Sequence, residues 1–542
     1  MKSWDMECDV LVVGSGGGGL VGAYTAASQG LKTILIESTD KFGGTTAYSG
    51  SGMWLPTNPV LQRAGSKDTL EAAKTYYHAV VGDRTPRALQ DAYLNTGHQL
   101  VAFLEKNPLL RFQVYPWPDY YGGAPCASAE GRHIIAEDLA LSALGDLRDS
   151  LRPNLTTERQ GHPRAENLFG GQALIARLLL AVKGTGHAAL HLNTRMDSLI
   201  VQGGRVVGAV AQTSGGAIRI HAPRGVLIAA GGFEQNDEMR RAHGVAASAK
   251  WSMGAPGNLG RPIQAGIDIG AATDLMGECW WSPGLMHPDG TATFSVGILG
   301  GIFVNGAGQR FTNESQPYDI VGRDVIKGEA TGVKHLPFWQ IYDARFGLRP
   351  PVMNASVAVG ESEGYLAAGL WKQADSLEDL AVQIGVPAAA LVSTVARYNT
   401  FAATGIDQDF HRGELAYDRF FVGPTKIDSS LVSLESPDFG DAVGGGQDAN
   451  PCLVPIDRPR YFAAAFGISD LGTKGGLKTD ADARVLDTKG AVIPGLYAAG
   501  NSMAAVSGLT YPGGGNPIGS SAVFAHLAAR DILAGGAKAK AA

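Results

Sequence analysis

The sequence predicts an α/β fold whose first domain is discontinuous, because a second, α+β domain is inserted into it. Three observations predict this arrangement. A β-α-β pattern with a glycine-rich turn occupies residues 8–37, and a second buried apolar strand that stops at paired glycines occupies residues 225–233. A strand, a glycine-rich turn and a small-residue helix then return at residues 495–533. Alternating strands and helices of this kind are typical of parallel sheets that are covered by helices.

The β-α-β pattern begins with the apolar run at residues 9–13 and ends at an acidic residue, Glu37. Between its two strands, Gly14, Gly16 and Gly19 stand at the G-x-G-x-x-G positions. The first glycine permits a tight turn, the second lets a pyrophosphate approach the backbone, and the third allows close helix-to-strand packing. The pattern therefore predicts a Rossmann-like domain that binds a dinucleotide, with a purely structural turn as the alternative.

The residues around the turn suit the two ends of such a ligand. The amides that follow Ser15 are free at the start of a helix, and the positive helix end attracts phosphate. Glu37 can accept hydrogen bonds from an adenosine ribose, and its charge disfavours a phosphorylated ribose. By itself this stretch leaves NAD and FAD equally open.

The composition is that of an ordinary globular protein, with 45% apolar and 18% charged residues among 542. The formal net charge of -6 and the lack of a long Lys/Arg block argue against nucleic acid as a partner. The four cysteines lie far apart, which predicts a reduced compartment, the cytoplasm, and no metal site. No apolar run approaches about eighteen residues, so we expect no transmembrane segment, while a peripheral membrane contact stays open.

Residues 42–55 follow the second strand and are rich in glycine, serine and threonine. The amides and hydroxyls of such a segment can wrap a polar chain, so we expect them to face a cofactor. An ordinary surface loop is the alternative. The candidate contacts in this segment are Gly44, Thr45, Thr46, Ser49 and Gly50.

The next segments predict helices and then a rigid loop. Residues 66–106 carry apolar side chains at helical spacing, which predicts two helices. Residues 109–123 are rich in aromatic side chains and contain Pro116 and Pro118, which predicts an aromatic-lined loop or, as the alternative, a satellite hydrophobic cluster. Residues 139–151 form a short amphipathic stretch, for which a solvated face is favoured over membrane contact.

The end of the chain returns to features of the first domain. The last strand ends in Gly500 and Asn501, and Pro517 and Ile518 lie in the first turn of the helix that follows. That helix directs free amides at an anionic or polarised ring edge. The strand at residues 225–233 adds Ala230 to these candidate cofactor contacts.

The change of texture between these segments places the domain boundaries. Tryptophans, prolines and a long helical pair fill the middle of the chain, between the second apolar strand and the last one. We predict that residues 1–285 and 459–542 form the cofactor-binding domain. Residues 286–458 then form the inserted catalytic domain.

Together these motifs resemble the FAD-dependent fumarate reductase and succinate dehydrogenase flavoprotein superfamily. The resemblance covers nearly the whole chain and is greatest to the 3-ketosteroid dehydrogenases that act at carbons 1 and 2. It implies FAD as the cofactor. Superfamily members with covalent FAD carry a histidine just after the second glycine pair, where this chain has Thr45 and Thr46, so we expect non-covalent FAD.

The ketosteroid members imply roles for particular residues. Tyr511 and the backbone amide of Gly515 match the pair that hydrogen-bonds the 3-keto oxygen. Tyr318 matches the base that removes a proton from carbon 2. Tyr120 matches the tyrosine that supports this base, with Tyr121 as the choice if the register differs by one. The hydride from carbon 1 would go to the flavin N5.

Tyrosines suit this chemistry only in the right surroundings. A free phenol has a pKa of about 10, so Tyr318 needs a neighbour such as Tyr120 that stabilises its phenolate. A phenol and an amide can stabilise the charge that develops on a ketone oxygen. From the residues alone, each tyrosine has a structural alternative: a buried core phenol, a member of an aromatic cluster, or a ring packed against the cofactor.

The resemblance implies a 3-keto-4-ene steroid as substrate and an external electron acceptor such as a quinone. Members that use dicarboxylates need cationic clamps, and this chain has no lysine or arginine between Lys489 and Arg530. That composition disfavours a fumarate-reductase-like reductase. A 3-ketosteroid 4-dehydrogenase and a non-enzymatic binder of an apolar ligand stay as alternatives.

Overall fold

The computed structural model describes residues 3–541 except residues 356, 423–433, 436–439 and 447–448. A six-stranded sheet draws its strands from both ends of the chain, and every neighbouring pair except the first is parallel. In sheet order the strands are Arg484–Leu486, Val492–Ala498, Gly225–Ile228, Val10–Val13, Thr33–Ile36 and Ala188–His191. This sheet confirms the predicted α/β class and the return of the chain to its first domain.

The central strands are apolar throughout because helices and the strand Arg205–Thr213 pack against the sheet. Every residue of Val10–Val13 and Gly225–Ile228 is buried. The helix Gly17–Ala27 is also buried at every position, and it packs against the helices Gly170–Gly184 and Asn516–Ala541. Its small residues allow this contact, since a Cβ on Gly18 would lie 2.1 Å from the Ser521 hydroxyl.

We expect Gly14→Ala to lower the free energy of unfolding by at least about 2 kcal/mol. Gly14 has a φ of +101°, and a Cβ there would lie 2.4 Å from the Ala229 carbonyl oxygen. Gly30→Ala is the matched control, because Gly30 has a φ of +81° but its added methyl would meet no described atom within 4 Å. Urea unfolding measures both, and equal losses would contradict the steric part of the argument.

A second sheet has eight strands, and the strands that pair within it are antiparallel. Its strands are Cys279–Met286, Ala292–Ile298, Ile302–Val304, Phe338–Asp343, Val352–Ala355, Trp371–Ala374, Leu434–Glu435 and Tyr461–Thr473. The first and last of these belong mostly to the segments predicted as the cofactor-binding domain. The division at residues 285 and 459 stays a prediction.

Four smaller sheets complete the strand architecture of the described residues, and two of them are two-stranded: Leu139–Ala140 with Asn167–Leu168, and Thr273–Asp274 with Gly476–Leu477. The strands Arg205–Thr213 and Gly216–His221 form a hairpin and pair antiparallel. They join Arg195–Gln202 and Met6–Glu7 in a four-stranded sheet. A three-stranded sheet consists of Met53–Trp54, Phe112–Val114 and His133–Ala136.

The helices surround these sheets, and the two predicted within residues 66–106 form as Leu70–Val81 and Arg87–Leu104. The first of them begins at Thr69, whose hydroxyl accepts a hydrogen bond from the Ala72 amide. The remaining α-helices are Pro59–Arg63, Leu155–Gln160, Asp237–Ala242, Arg261–Ile267, Tyr318–Glu329, Ser362–Ala367, Leu377–Ile384, Ala388–Thr404 and Ala416–Phe420.

The amphipathic stretch at residues 139–151 contains the 3₁₀ segment Leu141–Ser150, which is interrupted at Gly145, where φ is +54°. Leu141 and Leu144 are buried in the main hydrophobic core. Its apolar side chains therefore pack against the protein. Among the described residues, no helix combines the length and apolar character that crossing a bilayer requires.

Candidate active site

A cavity of ≈ 700 Å³ lies where the two large sheets meet the first glycine turn. Its volume falls within the range of roughly 300–1,000 Å³ that is typical of small-molecule sites. Every predicted cofactor-binding and catalytic residue except Gly19 lines this cavity. Residues from positions 13 to 521 therefore converge on one space.

The three glycines of the first turn differ in what surrounds them. A Cβ on Gly19 would lie 2.0 Å from the Gly14 carbonyl oxygen, so Gly19 allows the helix to pack against the strand. A Cβ on Gly16 would meet the Thr46 hydroxyl at 3.7 Å as its nearest neighbour. The backbone at Gly16 is thus open to the cavity, as contact with a pyrophosphate requires.

Glu37 lies at the end of its strand with a buried side chain that lines the cavity. One carboxylate oxygen accepts hydrogen bonds from the Ser15 hydroxyl at 2.6 Å and the Ser15 amide at 3.2 Å. The other accepts bonds from the Thr39 amide and hydroxyl, both at 3.0 Å. The contact between Glu37 and a ribose stays a prediction. The Ser15 and Thr39 hydroxyls can rotate away from the carboxylate, and the ribose hydroxyls would then donate in their place.

The segment at residues 42–55 is held against the rest of the cavity wall by its own hydroxyls. Thr46 accepts a hydrogen bond from the Gly17 amide at 3.1 Å. Thr45 accepts bonds from the Ala255 amide at 3.0 Å and the Asn258 side-chain amide at 2.9 Å. Gly44, Ser49 and Gly50 line the cavity beside them.

The returning segments close the opposite wall. The Ala230 amide donates to the Ser502 hydroxyl at 2.9 Å, and the Trp280 indole donates to the Asn501 side-chain oxygen at 3.1 Å. Gly500 has a φ of +63°, which lets the strand turn at this point. Pro517 and Ile518 add the first turn of the last helix. An elongated cofactor with a phosphate centre fits this series of glycines and hydroxyl side chains along the cavity.

The tyrosine cluster, Tyr120, Tyr318 and Tyr511, lies beyond these residues in the same cavity. All three side chains are buried. The Tyr120 hydroxyl donates to the Tyr318 hydroxyl at 2.9 Å, and the Tyr511 ring lies 5.1 Å and 5.6 Å from the other two rings. Tyr120, not its neighbour Tyr121, therefore contacts Tyr318.

Gly515 and Tyr511 line the same cavity, and hydrogen bonding from the Gly515 amide lowers the pKa of the Tyr511 phenol, against the larger effect of burial. Gly515 has a φ of +81°, and a Cβ there would lie 2.1 Å from the Gly52 carbonyl oxygen. Only glycine fits this position. A phenol and an amide are thereby placed side by side, which is the arrangement that two donors to one oxygen require.

Burial dominates the acid–base properties of the tyrosine cluster. It raises the pKa of Tyr511 to about 12 and the pKa of Tyr318 well above the usual range of a phenol. Burial likewise raises the pKa of Tyr120 well above the usual range of a phenol, and its hydroxyl donates to that of Tyr318. Tyr511 therefore suits a hydrogen-bond donor, whereas a phenolate at Tyr318 forms against the cost of burial.

The wall around the tyrosine cluster is aromatic and aliphatic. Trp117, Phe294, Val296 and Leu471 line the cavity there, and the Phe294 ring lies 4.7 Å from that of Tyr318. His133 lines it too, and burial lowers the pKa of its imidazole to about 4, so this side chain is neutral at physiological pH. Of these wall residues, only Trp117 lies in a segment that the sequence pattern indicated, the aromatic loop. The others belong to no motif.

Charged side chains line the cavity near Glu37. Arg152 donates to the Thr39 hydroxyl at 2.8 Å, and Arg261 pairs with Asp197 at 3.3 Å. Among the described residues, no three His, Cys, Asp or Glu side chains are grouped so as to hold a metal ion. The cavity thus combines a polar end near Glu37 with an apolar end at the tyrosine cluster.

Comparison with known proteins assigns this arrangement to a family. A family profile described as "FAD binding domain" matches residues 9–518. A 3-oxosteroid 1-dehydrogenase of Mycobacterium tuberculosis is 37% identical over 577 residues, which cover 97% of this chain and 98% of that relative. A 4-oxocyclohexanecarboxylate 2-dehydrogenase of Sinomonas cyclohexanicum is 34% identical over 569 residues, with 97% and 92% covered.

A solved structure agrees with these relatives. The crystal structure of 3-ketosteroid Δ1-dehydrogenase from Sterolibacterium denitrificans, in complex with 1,4-androstadiene-3,17-dione, has a TM-score of 0.85 and 32% sequence identity. The match covers 98% of this chain and 100% of that one. The chain is therefore an FAD-dependent oxidoreductase of the FAD-binding flavoprotein family to which the 3-oxosteroid 1-dehydrogenases belong.

Proposed function

We propose that this protein catalyses the 1,2-desaturation of 3-ketosteroids. The observation that carries the proposal is the 2.9 Å hydrogen bond from Tyr120 to Tyr318, beside Tyr511, at the apolar end of the cavity. A group that can accept a proton and a group that can donate a hydrogen bond to a carbonyl therefore lie beside apolar walls, which suit a steroid skeleton. The similarity to 3-oxosteroid 1-dehydrogenases over nearly the full length supports the same reaction.

In this proposal the side chains act on two adjacent carbons of the steroid. Tyr511 and the Gly515 amide hydrogen-bond the 3-keto oxygen and stabilise the negative charge that develops on it. Tyr318 takes the proton from carbon 2, and the bonding electrons form the new double bond as carbon 1 loses a hydride. Bound FAD supplies the acceptor for that hydride. Trp117 and Phe294 exclude water from the reacting carbons.

We expect turnover to rise with pH up to the stability limit of the enzyme, because Tyr318 acts as a phenolate and burial raises its pKa. Tyr120→Phe removes the donor to that phenolate, so the rate at a fixed pH should fall about tenfold and the rise should move to higher pH. A pH series of kcat measures this. Tyr121→Phe should leave the profile in place, and a shift in that variant alone would assign the supporting role to Tyr121.

We infer that the FAD is held without a covalent bond. Thr45 and Thr46 stand where superfamily members with covalent FAD carry a histidine, and both hydroxyls accept hydrogen bonds from the protein. Acid precipitation should leave a yellow supernatant and a colourless pellet. A pellet that keeps the flavin absorbance would contradict this inference.

An anaerobic titration tests cofactor, substrate and reaction together. The purified holoenzyme is mixed with a 3-keto-4-ene steroid in the absence of oxygen, and the flavin absorbance should bleach stoichiometrically. A quinone should then restore the colour, which supports such a compound as the electron acceptor. Flavin that stays oxidised would overturn the proposal and favour a binder of an apolar ligand.

Product analysis separates the remaining enzymatic alternatives. A 1,4-dien-3-one from the 3-keto-4-ene steroid supports desaturation at carbons 1 and 2, and a new 4-ene from a saturated 3-ketosteroid supports a 4-dehydrogenase. 4-Oxocyclohexanecarboxylate is the third substrate to test, because one relative is named for it. Its carboxylate would face Trp117 and Phe294 rather than a cation, so we expect much slower turnover. A cytoplasmic location and a peripheral membrane contact stay predictions.

A further inference from the structure

A lysine is buried beside the tyrosine cluster. Lys474 directly follows the strand Tyr461–Thr473, and its side chain is 0% exposed. Its ammonium donates to the carbonyl oxygens of Thr510 at 2.8 Å and Leu509 at 3.1 Å. These two residues immediately precede Tyr511, so Lys474 fixes the backbone from which the proposed carbonyl donor projects.

The same ammonium faces the segment that carries the proposed base. One carboxylate oxygen of Asp319 lies 3.9 Å from the Lys474 ammonium, and this carboxylate is 0% exposed. Arg323 donates to the other oxygen at 3.0 Å. Asp319 is adjacent to Tyr318 in the first turn of the helix Tyr318–Glu329. A carboxylate held between two cations thus fixes the start of that helix.

A third contact of Lys474 is with Trp280. The ammonium lies 4.2 Å from the centroid of the indole ring, a favourable cation–π distance. The same indole contacts the Tyr511 ring at 5.0 Å and donates to Asn501 at 3.1 Å. Lys474 therefore contacts three groups: the backbone that precedes Tyr511, the carboxylate next to Tyr318, and the Trp280 indole, which donates to Asn501.

This arrangement is costly as a purely structural device. A buried ammonium loses its hydration, and an apolar side chain of similar volume often serves a core position as well or better. Burial lowers the pKa of Lys474 to about 7, against the carboxylate of Asp319. Arg323, Glu278 and the Cys279 thiol are the other ionisable groups that act on it. Its polar partners are the carbonyls of Leu509 and Thr510, which precede Tyr511, and the carboxylate of Asp319, which follows Tyr318.

We propose that Lys474 is a positioning residue that holds the proton acceptor Tyr318 and the carbonyl donor Tyr511 at a fixed separation. The inference rests on the roles proposed above for these two tyrosines. Loss of the Lys474 amino group therefore impairs recognition of the carbonyl and removal of the proton, whereas a neutral amine at higher pH still donates to the Thr510 and Leu509 carbonyls. It leaves FAD binding and the apolar fit of the steroid unchanged.

Lys474→Met in the holoenzyme removes the charge at nearly constant length, and Lys478→Met is its control on the exposed surface of the same segment. Two quantities are measured for each variant. One is kcat with a 3-keto-4-ene steroid, and the other is the affinity for a 1,4-dien-3-one steroid and its 3-deoxy counterpart, followed by the flavin spectrum. Neither of these two ligands delivers a hydride from carbon 1.

For Lys474→Met we expect kcat to fall roughly 10- to 100-fold, because a displacement of about 1 Å at a reacting group has effects of this size. The affinity for the 3-keto ligand falls and that for the 3-deoxy ligand does not. Asp319→Asn changes both quantities in the same direction. Because Asp319 faces Lys474 directly, the loss in the double variant is smaller than the combined losses of the two single variants.

A wild-type kcat in Lys474→Met overturns the inference, and so does an equal loss of affinity for both ligands, since that indicates general loosening of the cavity. If Lys474→Met does not accumulate as a yellow protein, Asp319→Asn decides by the same comparison, because it preserves the volume. Wild-type values in that variant then overturn the inference. A wild-type enzyme whose flavin the steroid does not bleach refutes the proposed function itself, which the variant comparison separates from a failure of Lys474.

Discussion

Tyr318→Phe is expected to lower kcat by roughly 10²- to 10⁴-fold while the protein keeps its FAD. The variant loses the group that accepts the proton from carbon 2, together with the 2.9 Å hydrogen bond from Tyr120. It keeps the ring, which packs 4.7 Å from Phe294 and 5.6 Å from Tyr511. The flavin spectrum of the purified variant and its steady-state kinetics measure the two effects separately.

Tyr398→Phe is the control for this variant. Tyr398 is also buried, but it belongs to a separate hydrophobic cluster, so the same chemical change should leave turnover intact. Near-normal turnover in Tyr318→Phe would refute its role as the base. The pH profile adds a second check, because a residual activity that no longer rises with pH shows that water or another group has replaced the phenolate.

Tyr511→Phe is expected to lower kcat about 10²- to 10³-fold, since one of two donors to the developing oxyanion is lost. Burial raises the pKa of Tyr511 to about 12, so the wild-type residue keeps its proton and remains a donor over the whole working range of pH. The rise of the rate with pH should therefore survive in this variant. Steady-state kinetics at several pH values tests both points.

The contrast between the two variants is itself informative. Tyr511→Phe should weaken binding of a 3-keto ligand relative to its 3-deoxy counterpart, whereas Tyr318→Phe should not, because Tyr511 contacts the carbonyl in the proposed mechanism and Tyr318 does not. A Tyr511→Phe variant with raised KM and unchanged kcat would show that the phenol binds the ground state and the transition state equally. Tyr398→Phe again serves as the control.

The features that could be predicted from the sequence are those set by local spacing. The first strand, turn, helix and strand form at Val10–Val13, Gly17–Ala27 and Thr33–Ile36, because glycines at fixed intervals and apolar runs determine them within thirty residues of chain. The aromatic loop at residues 109–123 was predicted only in part, because Phe112–Val114 is a strand paired with His133–Ala136 and the rings that follow it belong to a hydrophobic cluster, which was the alternative. FAD and the family followed from a resemblance that the comparisons confirm.

The features that could not be predicted depend on long-range pairing. Lys474 stands after a strand that pairs Cys279 with Thr473, and nothing near it in the sequence indicates that Asp319 will face it. His133 reaches the cavity because its strand pairs with Met53–Trp54. Tyr318 was identified only by resemblance, since a buried tyrosine is common and its partner, Tyr120, lies 198 residues away in the chain.

The order of strands in the six-stranded sheet also governs how the protein is made. The strand Gly225–Ile228 pairs with Val10–Val13 on one side and with Val492–Ala498 on the other. At roughly 5–20 residues per second, the ribosome needs on the order of tens of seconds between the synthesis of Gly225–Ile228 and that of Val492–Ala498. Throughout that interval the nascent sheet has an unpaired apolar edge, which is a template for aggregation. The yield of folded enzyme therefore depends on how that edge is protected during synthesis.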